Sequence, residues 1–158
     1  MTGRAEVTRL KKRLDDTFQR IKELESSPDL EVRSDFARYL CVLVSGYLEK
    51  AVIELVQEHA RTNGAPTLQR FVEQRTRRFA NANSKRLQEF LGAFSSKWRA
   101  DAESFLVEDL KDAVDGVIGL RHQIAHGGSV SVTYQRIAEY YTRVQKVVDH
   151  VADLCGVP

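Results

Sequence analysis

Leu120-Arg121-His122-Gln123-Ile124-Ala125-His126-Gly127-Gly128 closes the stretch that decides how this chain folds. It ends a run that starts near Leu106 and is apolar at helical spacing. At about 100° per residue, Leu106, Leu110, Ala113, Val117, Leu120 and Ile124 fall in one narrow stripe, the expected core face. Val114, Ile118 and Ala125 widen the stripe on one side, and Arg121 lies within that widened arc. Asp115, Gly119, His122 and His126 fall on roughly the opposite face, and Gly127-Gly128 breaks the helix. An arginine among apolar neighbours is costly to desolvate unless it is paired or opens on a polar cavity. So wide an arc predicts a surface that meets something besides the chain's own core. A homodimer whose interface includes this helix is the expectation.

Working outward, the same periodicity recurs along the chain. Val7, Leu10, Leu14, Ile21 and Leu24 repeat at three-and-four spacing with Thr17 in the remaining slot, predicting a helix over about 4–26 that Ser26-Ser27-Pro28 stops. A second helix is expected over about 34–62, with Ser34 as N-cap. Phe36, Leu40, Leu43, Val44, Tyr47, Ala51 and Leu55 form one of its stripes, and Tyr39, Val42, Leu48, Val52 and Val56 form another. A helix apolar on two sides belongs at the centre of a bundle. Its Glu49 and Glu54 either reach a site or stay solvated.

Asn63-Gly64-Ala65-Pro66 is a turn signal. Two shorter helices should follow, broken near Asn81-Ala82-Asn83 and with Ser84 capping the second. Phe71, Phe79, Leu87, Phe90, Leu91 and Phe94 supply their apolar side. The motif helix is expected over about 101–126 with an acidic first turn. Ser129–Thr133 reads as a loop, and a last helix over about 134–154 carries Tyr134, Ile137, Ala138, Tyr141, Val144, Val148, Val151 and Cys155 on one stripe. No strand signal or internal repeat competes. The predicted fold is all-α: one domain over 1–158, a bundle of four long helices with short helical insertions.

Composition narrows the function. At 158 residues, 42% hydrophobic and 29% charged, the chain has enough apolar material for one real core. A net charge of +2 does not by itself imply nucleic-acid binding. Its distribution says more: Arg70, Arg75, Arg77, Arg78, Lys85, Arg86, Lys97 and Arg99 face only Glu73 and Glu89 within residues 65–99. Of these, Arg70, Arg75, Arg77 and Arg78, interleaved with aromatics, are the candidate RNA contacts, with a solvated face as the plain alternative. The N-terminus has no apolar core of a signal peptide, and no run is long enough to span a bilayer. Cys41 and Cys155 are unclustered, which predicts reduced thiols in a cytoplasmic protein.

Three chemistries fit the motif. His122 and His126 at i, i+4, with Asp115 two turns earlier on their face, have the spacing of helical zinc ligands, but no glutamate follows His122 and no third ligand is secure. Metal-free phosphodiester cleavage needs a fixed cation for the phosphate and a proton carrier, which Arg121 and His126 supply, with no cofactor. A non-catalytic binding role is the third. Arg121 and His126 are about 140° apart on an ideal helix, so one copy does not easily aim both at one atom, whereas two copies across a two-fold axis do.

Arg121, the polar His122 directly after it, His126 and the following glycine resemble the Arg-x4–6-His motif of the HEPN superfamily. The form Arg-His-x-Ile-Ala-His-Gly, with a last helix rich in tyrosine and valine, is most similar to the RiboL-PSP-type HEPN branch. Arg143 and His150 also match the loose spacing, but Val144 follows that arginine and no break follows that histidine. The resemblance implies a HEPN-like bundle, a dimer whose paired motifs build one cleft, and RNA cleavage through the substrate's own 2′-hydroxyl. By it, Arg121 and His126 are catalytic and His122 positions substrate or the neighbouring motif. It also implies the roles such bundles take: toxin of a toxin–antitoxin or phage-defence system beside an antitoxin, partner of a nucleotidyltransferase, or non-catalytic binding module for RNA or protein.

Overall fold

In the computed structural model, which describes residues 2–128 and 130–157, the chain runs through α1 (Gly3–Glu23), α2 (Leu30–Asn63), α3 (Pro66–Thr76), α4 (Ser84–Gly92), α5 (Ser96–Phe105), α6 (Glu108–Ala125) and α7 (Tyr134–Cys155). A single 3-10 turn, Leu24–Ser26, follows α1. Among the described residues there is no strand. The architecture is the all-α one expected, with α1, α2, α6 and α7 as the four long helices and α3 to α5 as the short insertions.

The 34-residue α2 is the axis. Leu40, Cys41, Val44, Leu48, Ala51, Val52, Leu55 and Val56 along it are all fully buried. Each of the valine and leucine side chains among them contributes roughly 1.5–3 kcal/mol when taken from water. The helix starts earlier than the sequence suggests. Asp29, not Ser34, is its N-cap and accepts from the backbone of Glu31 and Val32. Ser34 lies inside the first turns and accepts from Arg38 instead. At the other end, His59 Nδ1 lies 2.9 Å from the Cys155 carbonyl, which ties the ends of α2 and α7 together.

The first half of the second α2 stripe is not covered. Tyr39 is 53% exposed and Val42 40% exposed. On α1 the seam also differs from the expected one. Phe18 fills the slot assigned to Thr17, and Leu24 is exposed. The step from Leu14 to Phe18 follows the true 3.6-residue turn, where a 3.5-residue repeat lands on 17. Phe18 then stacks on Tyr141 of α7 at 4.7 Å between ring centroids and meets Tyr134 edge-on. The Tyr141 hydroxyl donates to Asp15 at 2.6 Å, closing α7 onto α1.

The expected motif helix over 101–126 is two helices. The chain turns a corner at Leu106–Glu108, with Glu108 in the left-handed region at φ 48°. Leu106, buried in the corner, draws the chain inward and ends α5. Helix α6 then lies against α7, and Gly116 leaves room for the Tyr140 ring: a Cβ there would meet its tip at 2.8 Å and that side chain would have to swing aside. Val114 and Ile118, read from sequence as an arc reserved for a partner, are buried within this one chain. Of that arc only Ala125 stays exposed, so the apolar width of α6 is spent on its own core. Likewise Phe71 is 62% exposed on α3, while Phe79, Leu87 and Leu91 supply the buried side of the insertion. The cap of α4 is Asn83, not Ser84.

Ser129 of the expected loop lies outside the described residues. Residues 130–133 carry no helix, and Thr133 caps α7. Among the described residues no helix is long and apolar enough to cross a membrane.

The α1 seam generates a direct test. Phe18→Ala should lower the unfolding free energy by about 3–5 kcal/mol in denaturant titration. Thr17→Ala, one residue away, should change it by no more than about 0.5 kcal/mol.

Candidate active site

Helix α6 ends on a full Schellman closure. The Gly128 N–H donates to the Gln123 carbonyl at 2.9 Å and the Gly127 N–H to the Ile124 carbonyl at 3.1 Å. This geometry needs one left-handed residue after the cap, and Gly127, at φ 73°, takes it without a Cβ penalty. His126 is thereby the C-cap itself, exposed at the helix end. The chain after it is anchored from α2: Arg38 Nη1 donates to the Val130 carbonyl at 3.1 Å.

Arg121, half-buried, faces the other way round the helix. Its Nη2 donates to Asn81 Oδ1 at 2.8 Å. Asn81 sits in the left-handed region at φ 56°, which asparagine tolerates better than most residues, and its N–H donates to Glu49 Oε1 at 2.9 Å. Glu49 on α2 therefore holds Asn81, and Asn81 holds Arg121. Arg121 Nε is buried with no acceptor among the described residues, and so is Ser45 Oγ on α2. Burial pushes the Cys41 thiol up to about 11, against the opposing pull of the Arg121 charge.

His122 and His126 pack edge to face, ring centroids 4.3 Å apart, and both are exposed. No hydrogen bond among the described residues joins Arg121 to His126. The third group on the histidine face has another task. Asp115 accepts from the Ser84 N–H at 2.8 Å and from the Ser84 hydroxyl at 2.9 Å, clamping the start of α4 onto α6. A metal reading of His122 and His126 thus loses Asp115 as a third ligand, and among the described residues no cluster of three or more His, Cys, Asp or Glu is placed to hold a metal ion.

The clamp opens a cleft of about 820 Å³ between α6 and the start of α4, with His122 and Gln123 on one wall and Lys85 and Arg86 on the other. Arg70 and Arg75 on α3, with Arg77 and Arg78 just beyond it, are exposed and do not line it.

Chemically, the α6 end offers a fixed guanidinium able to take charge on a phosphate and an exposed imidazole able to move a proton. Asn81 and the true work of Asp115 escaped the sequence reading. The Asn-Ala-Asn break was visible, but its contact with Arg121 spans 40 positions of chain. Because Ser84 is buried, Asp115→Ala strands two of its donors and should cost about 2–3 kcal/mol of stability in thermal or denaturant unfolding. Asp115→Asn, which keeps an acceptor, should cost less.

Compared with known proteins, residues 8–156 match the model of the RiboL-PSP-HEPN family. No curated protein and no solved structure matches the chain. The family match runs from the second turn of α1 to the residue that caps α7 and includes the whole motif helix, Arg121, His122 and His126. The chain belongs to the RiboL-PSP-HEPN family.

Proposed function

We propose that this protein is a metal-independent endoribonuclease that works as a homodimer. The observation that carries this reading is the pairing of unlike groups at the end of α6: a half-buried guanidinium held by Asn81, and an exposed imidazole on the capping residue. In the reaction, the RNA 2′-oxygen bonds to the adjacent phosphorus and the bond from phosphorus to the 5′-oxygen breaks. A base takes the 2′-hydroxyl proton, and an acid returns one to the leaving 5′-oxygen. His126 fills the first role, and His126 of a second copy fills the other. Arg121 stabilises the charge that builds on the phosphate oxygens. Its fork is fixed on one side by Asn81, so little reorganisation is needed as that charge develops.

The dimer is favoured by two features. Arg121 and His126 of one chain share no contact that would put both on one phosphate. Tyr39 and Val42 also leave an apolar strip on the half of α2 that runs beside the motif, since Arg38 there reaches Val130. A second copy is the proposed cover for that strip. The exposed arginines of α3 add attraction for RNA that does not depend on base sequence, as phosphate contacts do. An activity of this kind needs restraint inside a cell, and an antitoxin or a nucleotidyltransferase is the proposed partner for that, in a toxin–antitoxin or phage-defence setting.

Cleavage of RNA by the purified protein in EDTA is the test. Products should carry 2′,3′-cyclic phosphate and 5′-hydroxyl ends. His126→Ala should lose on the order of 10²–10⁴ in rate while still binding RNA. Arg121→Lys should fail as well, because an ammonium does not replace the planar fork, and His122→Asn should be milder. Cleavage of a strand whose 2′-hydroxyls are replaced by hydrogen, or a strict need for added metal, would sink the mechanism. A binding-only module is what remains if RNA is held and never cut.

Sedimentation at micromolar concentration should give a dimer, and Val42→Asp should shift it toward monomer. Neutralising Arg70, Arg75, Arg77 and Arg78 together should weaken RNA binding and flatten its salt dependence.

A further inference from the structure

We propose that the cleft between α6 and the start of α4 is a phosphate track, holding the RNA strand that leads into the motif. The inference rests on the ribonuclease reading and adds the site that grips the substrate beside the reacting bond. Lys85 and Arg86 on α4 and Lys111 on α6 line the cleft together. All three are exposed, and among the described residues none of them forms a salt bridge. The one acidic side chain in the lining, Asp115, has both oxygens engaged by Ser84. Three cations against one carboxylate leave the cleft with a surplus of two positive charges. Like charges gathered in a concave site repel one another, and a polyanion relieves that repulsion while releasing its own counterions.

Position ties the cleft to the chemistry. His122 lines its inner end and packs on His126 at 4.3 Å. From Lys111 to His122 the axis of α6 rises roughly 16 Å, room for a few successive phosphates. Asn81, which holds Arg121, lines the same cleft. The track therefore adjoins both motif groups, His126 through His122 and Arg121 through Asn81. No phenylalanine, tyrosine or tryptophan lines it and His122 is its one ring, so along most of the track the strand is held by its backbone without choice of sequence. The α3 arginines differ in kind: they sit outside this concavity and outside its lining.

The test is binding of a 2′-O-methyl RNA strand, which keeps every phosphate and cannot be cut by its own 2′-hydroxyl, followed by fluorescence anisotropy over a salt series. With Lys85→Ala, Arg86→Ala and Lys111→Ala combined, the slope of log affinity against log salt should become shallower by about 2, near 0.7 for each lost phosphate contact. Lys111→Glu alone should weaken binding at low salt more than at high salt. These side chains are exposed, so circular dichroism and the unfolding midpoint should match the parent chain. Several strand sequences of one length should lose affinity equally. A parent chain that binds and cleaves RNA, beside a triple variant with unchanged affinity and slope, would overturn the track and leave the ribonuclease reading standing. A parent chain that neither binds the methylated strand nor cleaves ordinary RNA would overturn both.

Discussion

A helix that is apolar on two sides needs cover on both, and the burial of α2, from which only its early turns with Tyr39 and Val42 are left out, imposes that requirement on everything around it. Cys41, Val44 and Leu48 have no exposure at all, so no loop can lie against them in place of a packed helix. Helix α1 and helix α7 close one another over the Phe18–Tyr141 stack and the Tyr141–Asp15 hydrogen bond, while α6 lies along the first half of α2, with the Val117 carbonyl at the Cys41 thiol. The direction of α6 then follows. With residue 117 beside 41 and Val130 beside Arg38, the two helices run antiparallel, and the α6 C-terminus is carried to the early turns of α2.

The candidate site is what this arrangement leaves at the edge of the core. Arg121 is on the α6 side that faces α2, so its stem is buried while its fork reaches the rim. His126 is on the last residue of the helix, past the point where packing holds it. Two polar clamps then fix the rim. Glu49 holds the Asn81 backbone, and Asp115 holds Ser84, so the connection between α3 and α4 is pinned at two points near its α4 end. Each clamp replaces water on a donor with a carboxylate, which is worth more than a neutral hydrogen bond and leaves that carboxylate unavailable for other work.

How much of this the sequence carried depends on range. The four long helices were legible because their apolar residues recur at 3 and 4, and the end of α6 was legible because two glycines follow the motif. Arg121, His122 and His126 could be singled out as candidates from seven residues. Periodicity was less able to place the register within a seam, as Phe18 in place of Thr17 shows, or to see the corner at Leu106–Glu108, where the apolar pattern continues through a break in the backbone. Local sequence suggested Ser34 and Ser84 as caps, yet Asp29 and Asn83 take those places, because a cap is fixed by where the backbone enters the helix and several nearby residues can fill it chemically.

The sequence by itself determined the helices, their apolar faces and the groups at the end of α6, since all of these follow from neighbours within a few turns. Only the tertiary structure decided which apolar face is spent internally: Val114 and Ile118 look like surplus on a single helix and prove to be covered once α6 is packed. It also decided which polar groups meet. Glu49, Asn81 and Arg121 lie on three separate stretches of chain, and Ser84 and Asp115 on two, so no local spacing relates them. The physical reason is the same throughout. Helix formation is a bargain among residues three and four apart, whereas desolvation is settled by whatever the rest of the chain brings alongside.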